Sequence, residues 1–333
     1  MAFLYLTEQG SILRKTGQRL IIEKDGQRLL EVPAREIETI LIFGRVQVTT
    51  QALHTILANG IELAIFTHTG KLLGQLTSPM PKNVELRIAQ YEKFKDANFV
   101  LQTSKSIVAG KILNSLEYLR RFSYNHKDIN LSDEIQTLTQ IHSQVKSETS
   151  PEALLGLEGF AARVYYMAFS KMILGNFGFD GRRKRPAPDP VNALLSFGYT
   201  LIFNEIASLL DGIGFDPYIG FFHKPRYGRS SLAADLVEEF RSPVVDRLTL
   251  RLINNRILTN NDFYLHQPSG SMRLKHESLK RYFPEYEKAV NNEFTHPQTG
   301  EKIAFRRLFR IQAQKLAQAI IQNTQYIPFH YDR

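Results

Sequence analysis

The chain contains no cysteine. That absence excludes disulfides, thiolate zinc sites and cysteine nucleophiles together, so a metal could be held only by His, Asp and Glu. No run approaching the roughly 18 apolar residues of a membrane span is expected, and the opening MAFLYLTEQG lacks a signal peptide's basic n-region and long apolar core. A cytoplasmic protein with no membrane partner is the expectation. GxxxxGK(S/T), GxGxxG after a strand, HExxH and GxSxG are also missing, which disfavours nucleotide-driven, nicotinamide-dependent, zincin and serine-hydrolase chemistry. No internal repeat or low-complexity tract is present.

What is present is a chain of 333 residues, longer than one hydrophobic core comfortably serves, so two domains are expected. A hydrophobic fraction of 43% with 23% charged residues is that of a soluble globular protein. The net charge of +9 suits a polyanionic partner. Its placement is more informative, because residues 1–85 carry 9 Lys and Arg against 8 Asp and Glu, leaving 33 against 25 for the rest. The carboxy-terminal part is therefore the candidate nucleic-acid binder.

From Phe3 to about Leu76 the chain is a series of short β-rich runs, with Asp25-Gly26 between RLIIEK and QRLLEV as a type I′ hairpin signal. His54 and His68 have no spaced carboxylates nearby and read as structural. The stretch TSPMPKN, with two prolines, reads as a linker. After Val84 the pattern becomes helical. The expected architecture is α+β: a β-rich domain over 1–78, a linker at 79–84, and a larger all-α domain over 85–333. In SKSIVAGKILNSLEYLRRF the cations are expected on the outer face.

Ser150-Pro151 marks the start of a long helix. With Leu154 at zero on its wheel, Glu158 falls at about 40°, among Tyr165, Phe169 and Ala162. A carboxylate on an apolar face requires a cation, a metal or a strong donor opposite. Arg182, Arg183, Lys184 and Arg185 follow in a Gly- and Pro-flanked loop that presents its charges, either to phosphate or to solvent. Asp189-Pro190 starts a helix with Asn192, Ser196 and Tyr199 along one face.

The densest chemistry lies in GFFHKPRYGRSSLAADLVEEFR, residues 220–241. It holds His223, the cations Lys224, Arg226 and Arg229, and, on a short amphipathic helix over 231–240, Asp235 and Glu238 opposite the apolar side. Ser242-Pro243 is expected to open a separate helix. Residues 259–278 read as a polar loop. Near the end, Arg306 and Arg307 belong to a basic helix whose cationic face could follow a DNA backbone or be solvated. Oxygen ligands with one imidazole suit Mg2+ or Mn2+. Such an ion can polarise a phosphodiester, and the cations beside His223 could stabilise charge at phosphorus.

Together, LLGLEGFAARVYY, DPVNALLSFGYTL, GFFHKPRYGRSSLAADLVEEFRSPVVDRL and HPQTGEKIAFR resemble, in order and across the whole chain, the CRISPR-associated adaptation integrases, the first of the universal CRISPR-associated protein families. The resemblance implies a metal-dependent DNA endonuclease and integrase that inserts short DNA into a repeat array by attack of a 3′-hydroxyl on a phosphodiester. It implies Glu158, His223 and a carboxylate of the SLAADLVEEF helix as metal ligands, with Glu238 favoured and Asp235 an outer or alternative ligand. It further implies double-stranded, branched DNA with 3′-hydroxyl ends as substrate, a homodimer through the β domain, and the second universal adaptation protein, a small ferredoxin-like subunit, as partner. A general metal-dependent nuclease and a non-catalytic DNA-binding scaffold are the alternatives.

Overall fold

The β-rich runs form strands β1 (Ala2–Leu6), β2 (Ile12–Thr16), β3 (Arg19–Lys24), β4 (Gln27–Pro33), β5 (Ile37–Phe43), β6 (Gln47–Val48), β7 (Glu62–Phe66) and β8 (Leu72–Leu76), with helix α1 (Thr50–Ala58) before β7. The computed structural model describes residues 2–67, 72–76, 83–297 and 299–331. Asp25 and Gly26 both take positive φ, 50° and 76°, as a I′ turn requires, and Lys24 pairs with Gln27 across it. One sheet runs β1-β5-β7-β8 and the other β4-β3-β2-β6. Their inward faces, with α1, bury Leu6, Leu13, Leu20, Ile40, Ile56 and Leu63. His54 is exposed on α1, while His68 and the linker residues up to 82 lie outside the described residues.

The chain divides into two units, Met1–Pro79 with Leu274–Phe283, and Met80–Arg273 with Pro284–Arg333. The boundary expected from composition thus needs amending, because a distant segment joins the first unit. Phe283 stacks on Tyr5 at 4.3 Å, and Lys280 pairs with Glu8 at 3.2 Å. Contacts so remote in sequence leave no compositional trace.

In the second unit lie α2 (Val84–Lys95), α3 (Ala97–Asn125), α4 (Ser132–Val145), α5 (Pro151–Lys171), α6 (Pro190–Ile213), α7 (Ser231–Val237), α8 (Arg247–Asn254) and α10 (Phe305–Gln322); α9 (Leu279–Asn291) carries Pro284 at the unit division. Ser150 and Asp189 cap α5 and α6, each with proline in the first turn, as the sequence signals predict. Contrary to the expectation from the sequence, α6 is long and apolar enough to cross a membrane; 67% of its most apolar window is buried inside the protein, and core helices meet the same criterion.

Three further expectations are corrected. The second unit is not purely helical: β11 (Glu293–Thr295) pairs with β12 (Lys302–Ala304), and the expected loop at 259–278 contains the strands β9 (Phe263–His266) and β10 (Ser271–Leu274). The helix at 231–240 is not half-solvated, since Asp235, Glu238 and Glu239 are all buried. No break occurs at Ser242-Pro243 either. The chain passes from α7 through a 3-10 turn at Glu238–Phe240 and a π turn at Arg241–Asp246 directly into α8. π turns often mark functional positions; this one holds Arg241 and Asp246, and the tighter 3-10 turn before it holds Glu238.

The last described residues form a strap along the same region. Asn114 on α3 donates to the carbonyls of Glu239 and Phe329, both at 2.9 Å, and accepts from Tyr331 N at 2.7 Å. Gly110 on α3 permits the approach, because a Cβ there would stand 2.7 Å from Pro328.

Candidate metal and DNA site

The loop before α7 wraps around one carboxylate. Asp235 accepts the backbone N–H groups of Phe221, Phe222 and His223 at 2.6, 3.1 and 2.8 Å. Gly220 makes this turn feasible, since a Cβ would lie 2.9 Å from Asp235 Oδ2 and 2.7 Å from the Ser231 backbone. Asp235 Oδ1 also lies 2.7 Å from His223 Nδ1. With Nδ1–H donated to the carboxylate, Nε2 carries the free lone pair. That atom faces Glu238, whose Oε1 is 3.8 Å away.

Glu158 reaches the same place from α5. Its partner is Lys111 on α3, whose ammonium bonds to Glu158 and stands 2.8 Å from Glu238 Oε2. The buried cation demanded by the position of Glu158 is therefore a lysine that the sequence pattern assigns to an outer face. Arg241 Nε also lies 2.9 Å from Glu238 Oε2, so this oxygen is ion-paired to two cations. Burial alone would push the Glu238 carboxyl up; the Arg241 guanidinium, the Lys111 ammonium and His223 outweigh it and hold the group well below the usual carboxylate range. For Lys111, dehydration acts downward but Glu238 and Glu158 prevail, and its pKa is raised.

Arg241 is fixed from the other side. Its guanidinium sits 4.7 Å above the Tyr199 ring. The Tyr199 hydroxyl donates to Asp246 and lies 2.7 Å from the Tyr166 hydroxyl, and Tyr165 donates to Asp246 at 2.8 Å. Burial raises the Asp246 carboxyl to about 6, against the two tyrosine hydrogen bonds and Arg241.

The donors fit a hard divalent ion. Among the described residues no three acids or histidines already converge on a metal-ready point; the Lys111 ammonium contacts both Glu158 and Glu238. A buried carboxylate ion-paired to two cations, a second carboxylate sharing one of them, and an imidazole whose Nδ1 is committed to Asp235 supply the oxygen-rich set that Mg2+ or Mn2+ prefers. The 3.8 Å from Nε2 to Glu238 Oε1 is compatible with two ligands each about 2.1 Å from one ion. Asp235 is instead engaged by three N–H groups and the imidazole.

Beside these groups opens a cleft of about 910 Å³, with Lys111 and Glu158 at its margin together with Arg163, Arg182, Arg183, Lys184 and Arg241. The volume admits a nucleotide, and the lining is cationic. The Arg182–Arg185 run is not uniformly presented. Arg182 donates to Asn192 Oδ1 at 2.8 Å and to Ser196 Oγ at 2.9 Å, and Asn192 also accepts from Arg183 N and donates to Gly181 O. Asn192 and Ser196 thus pin the loop, whereas the Arg183, Lys184 and Arg185 side chains are exposed. Lys184, though its side chain reaches solvent, is pushed down to about 8 by partial dehydration and by the nearby charges of Arg241 and Lys111.

Other expected contacts separate. Lys224 is exposed and pairs with Glu152 at 3.2 Å, Arg226 is exposed on the loop and Arg229 is half-buried there. Arg306 is a correction: it is clamped by Glu205 at 2.6 Å and Glu287 at 2.8 Å and is a structural ion-pair centre, not a free phosphate ligand. Arg307, its neighbour, is exposed. Sequence reasoning missed Lys111, Arg241 and Asp246; only Arg241 had a signal, its i, i+3 spacing from Glu238.

The family model described as CRISPR associated protein Cas1 matches residues 4–288. A curated relative, CRISPR-associated endonuclease Cas1 3 of Thermus thermophilus, is 34% identical over 329 residues, covering 98% of this chain and 94% of its own. Among solved structures, a casposase bound to integration product superposes with a TM-score of 0.87 at 23% identity, over 100% of this chain and 95% of that one. A chain of a Cas6-RT-Cas1–Cas2 complex gives a TM-score of 0.84 at 25% identity, over all of this chain and 36% of that longer one.

Proposed function

This chain belongs to the CRISPR-associated Cas1 family, and on that premise we propose that the cleft beside Glu158, His223 and Glu238 carries out metal-dependent DNA strand transfer in CRISPR adaptation. In this reading the protein is an endonuclease and integrase of DNA; its curated relatives are named as endonucleases. One observation carries the site assignment: carboxylates from α5 and from the turn after α7 share the Lys111 ammonium, beside an imidazole whose other nitrogen is already committed to Asp235.

Glu158, Glu238 and His223 Nε2 would hold Mg2+ or Mn2+. When bound, such an ion polarises the phosphodiester and lowers the pKa of the attacking hydroxyl. The chain's own residues do the rest. Asp235 fixes the imidazole orientation, and Tyr199 with Asp246 holds Arg241 against Glu238. Arg183, Lys184 and Arg163 line the cleft, where they would hold the phosphate backbone and spread the charge that builds on phosphorus. A 3′-oxygen forms a bond to phosphorus as the bond to the leaving 3′-oxygen breaks, and the proton passes from the attacking to the leaving hydroxyl. The number of phosphoester bonds is unchanged, so no nucleotide hydrolysis is needed, in keeping with the missing phosphate-binding loop.

The partners in this reading are branched, double-stranded DNA with 3′-hydroxyl ends, a second copy of the chain through the β-rich unit, and the second universal adaptation protein, Cas2, in the cytoplasm. The solved Cas1–Cas2 complex that this chain resembles supports the last partner. In a gel assay with Mn2+ or Mg2+ and a labelled 3′-hydroxyl DNA, joined products are expected from the wild type. Glu158→Ala and His223→Ala should abolish joining and retain salt-sensitive DNA binding. Cleaved but never joined products would favour a plain nuclease, and undiminished joining by either variant would refute the assigned ligands.

A further inference from the structure

We infer that the Lys111 ammonium is an internal counter-cation, held by the carboxylates until DNA draws it away, so that divalent-cation binding and DNA binding are coupled through this one side chain. The inference rests on the reading of Glu158, His223 and Glu238 as cation ligands.

Lys111 Nζ bonds to Glu158 and lies 2.8 Å from Glu238 Oε2, so an entering divalent ion must compete with it for both acids. As arranged, Glu158 and Glu238 face two cations at ion-pair distance, Lys111 and Arg241, and these four charges cancel. A divalent ion seated on the same two carboxylates with both cations in place would crowd three positive centres onto two acids in a site largely shielded from water, where like charges are poorly screened. One cation therefore has to move. Arg241 is ill suited to do so, since its planar head is stacked 4.7 Å above Tyr199 and sits near the buried Asp246. Lys111 is well suited. Its charge is a point at the end of a flexible four-carbon stem, and the residue also lines the cationic cleft. A phosphodiester entering that cleft supplies replacement oxygens for the ammonium and frees Glu158 and Glu238 in the same motion.

Such exchange is reciprocal: whatever factor DNA contributes to cation affinity, the cation contributes to DNA affinity. It would keep the site closed to metal when no DNA is present, and so limit hydrolysis by an idle enzyme.

The test is Mn2+ titration by calorimetry on the full chain, with and without a saturating branched DNA made uncleavable at the joining phosphate. In the wild type, DNA should tighten Mn2+ binding about 10-fold or more. Lys111→Met, similar in length but uncharged, should bind Mn2+ about 10-fold more tightly than wild type without DNA, should lose most of the DNA effect, and should show the larger Mn2+-induced rise in Tm. Lys111→Arg, which keeps a cation, should resemble wild type. If Lys111→Met binds Mn2+ no more tightly than wild type while Glu158→Ala loses binding, the ammonium is not a competitor and the inference fails. If Glu158→Ala binds Mn2+ as wild type does, the ligand assignment itself fails. Should Lys111→Met not fold, the wild type decides, because Mn2+ and DNA that bind independently of each other would equally overturn the coupling.

Discussion

Asp235 Oδ1 lies 2.7 Å from His223 Nδ1, and this contact separates the two acids of one short helix by role. Asp235 is committed to the ring and to three backbone N–H groups, while Glu238, three residues on, faces the other ring nitrogen at 3.8 Å. Asp235→Asn should lower Mn2+ affinity and strand joining by about 10- to 100-fold, the usual effect of losing the partner that orients a ligand. Glu238→Gln should abolish both. Equal losses from the two substitutions, with unchanged thermal stability in each, would contradict this division.

The cationic loop gives a second prediction. Since Arg182 is engaged by Asn192 and Ser196, only the exposed part of the run should contribute counterion release. Changing Arg183, Lys184 and Arg185 together to alanine should reduce the slope of log K against log salt by about 2 to 3. Binding measured from low to moderate salt checks this, and an unaltered slope would make the three residues a solvated loop.

Lys184 adds a pH dependence. Dehydration and neighbouring cations bring it to about 8 from an ordinary 10.5. In the free protein the proton is therefore lost as pH rises through about 8, and a bound phosphate must restore it. DNA affinity should fall across pH 8 to 10, and Lys184→Gln should flatten that fall. The effect on folding has the opposite sign: the penalty for keeping a charged Lys184 in the folded state is present below about 8 and relieved above it. Anisotropy titrations at fixed ionic strength across this range test the binding prediction.

Glu239 secures the carboxy-terminal strap. It accepts from Tyr326, from Gln312 at 3.0 Å and from Phe329 N at 2.7 Å. Glu239→Ala should destabilise the fold by on the order of 3 kcal/mol, about 1 for each buried hydrogen bond, and should speed hydrogen exchange at 324–331. Burial raises the Glu239 carboxyl to about 7 from 4.5, against these hydrogen bonds. Between those values the unfolded chain ionises the group and the folded protein does not, so folding stability falls as pH rises from about 4.5 to about 7 and is level above. The stability difference between wild type and Glu239→Gln, measured by thermal melts, should shrink over that window; a pH-independent difference would argue against the raised pKa.

Much of the site was legible because local chemistry wrote it. The I′ turn at Asp25-Gly26, the Ser150 and Asp189 caps and the apolar placement of Glu158 all follow from backbone geometry, helix periodicity and the expense of burying a charge. The grouping of His223 with Asp235 and Glu238 was visible because the three lie within one short stretch. Periodicity failed where burial was complete. A helix enclosed on all sides has no solvent face, so its carboxylates could not be assigned by wheel position, and the π turn at Arg241–Asp246 shifted the helical phase of α8 relative to α7.

The helical pattern of α5 already requires a positive partner for Glu158, since a lone carboxylate among Leu154, Tyr165 and Phe169 would not remain charged. That this partner is Lys111 follows only from how the helices pack. The choice depends on three segments, α3, α5 and the irregular turn after α7, meeting within ion-pair distance although Lys111 and Glu158 are 47 residues apart in the chain and Glu238 is more distant still. The same packing decided that Arg306 serves Glu205 and Glu287 instead of DNA. In both cases local sequence sets which charges need partners, while long-range packing, which leaves no periodic trace, sets which partners they find.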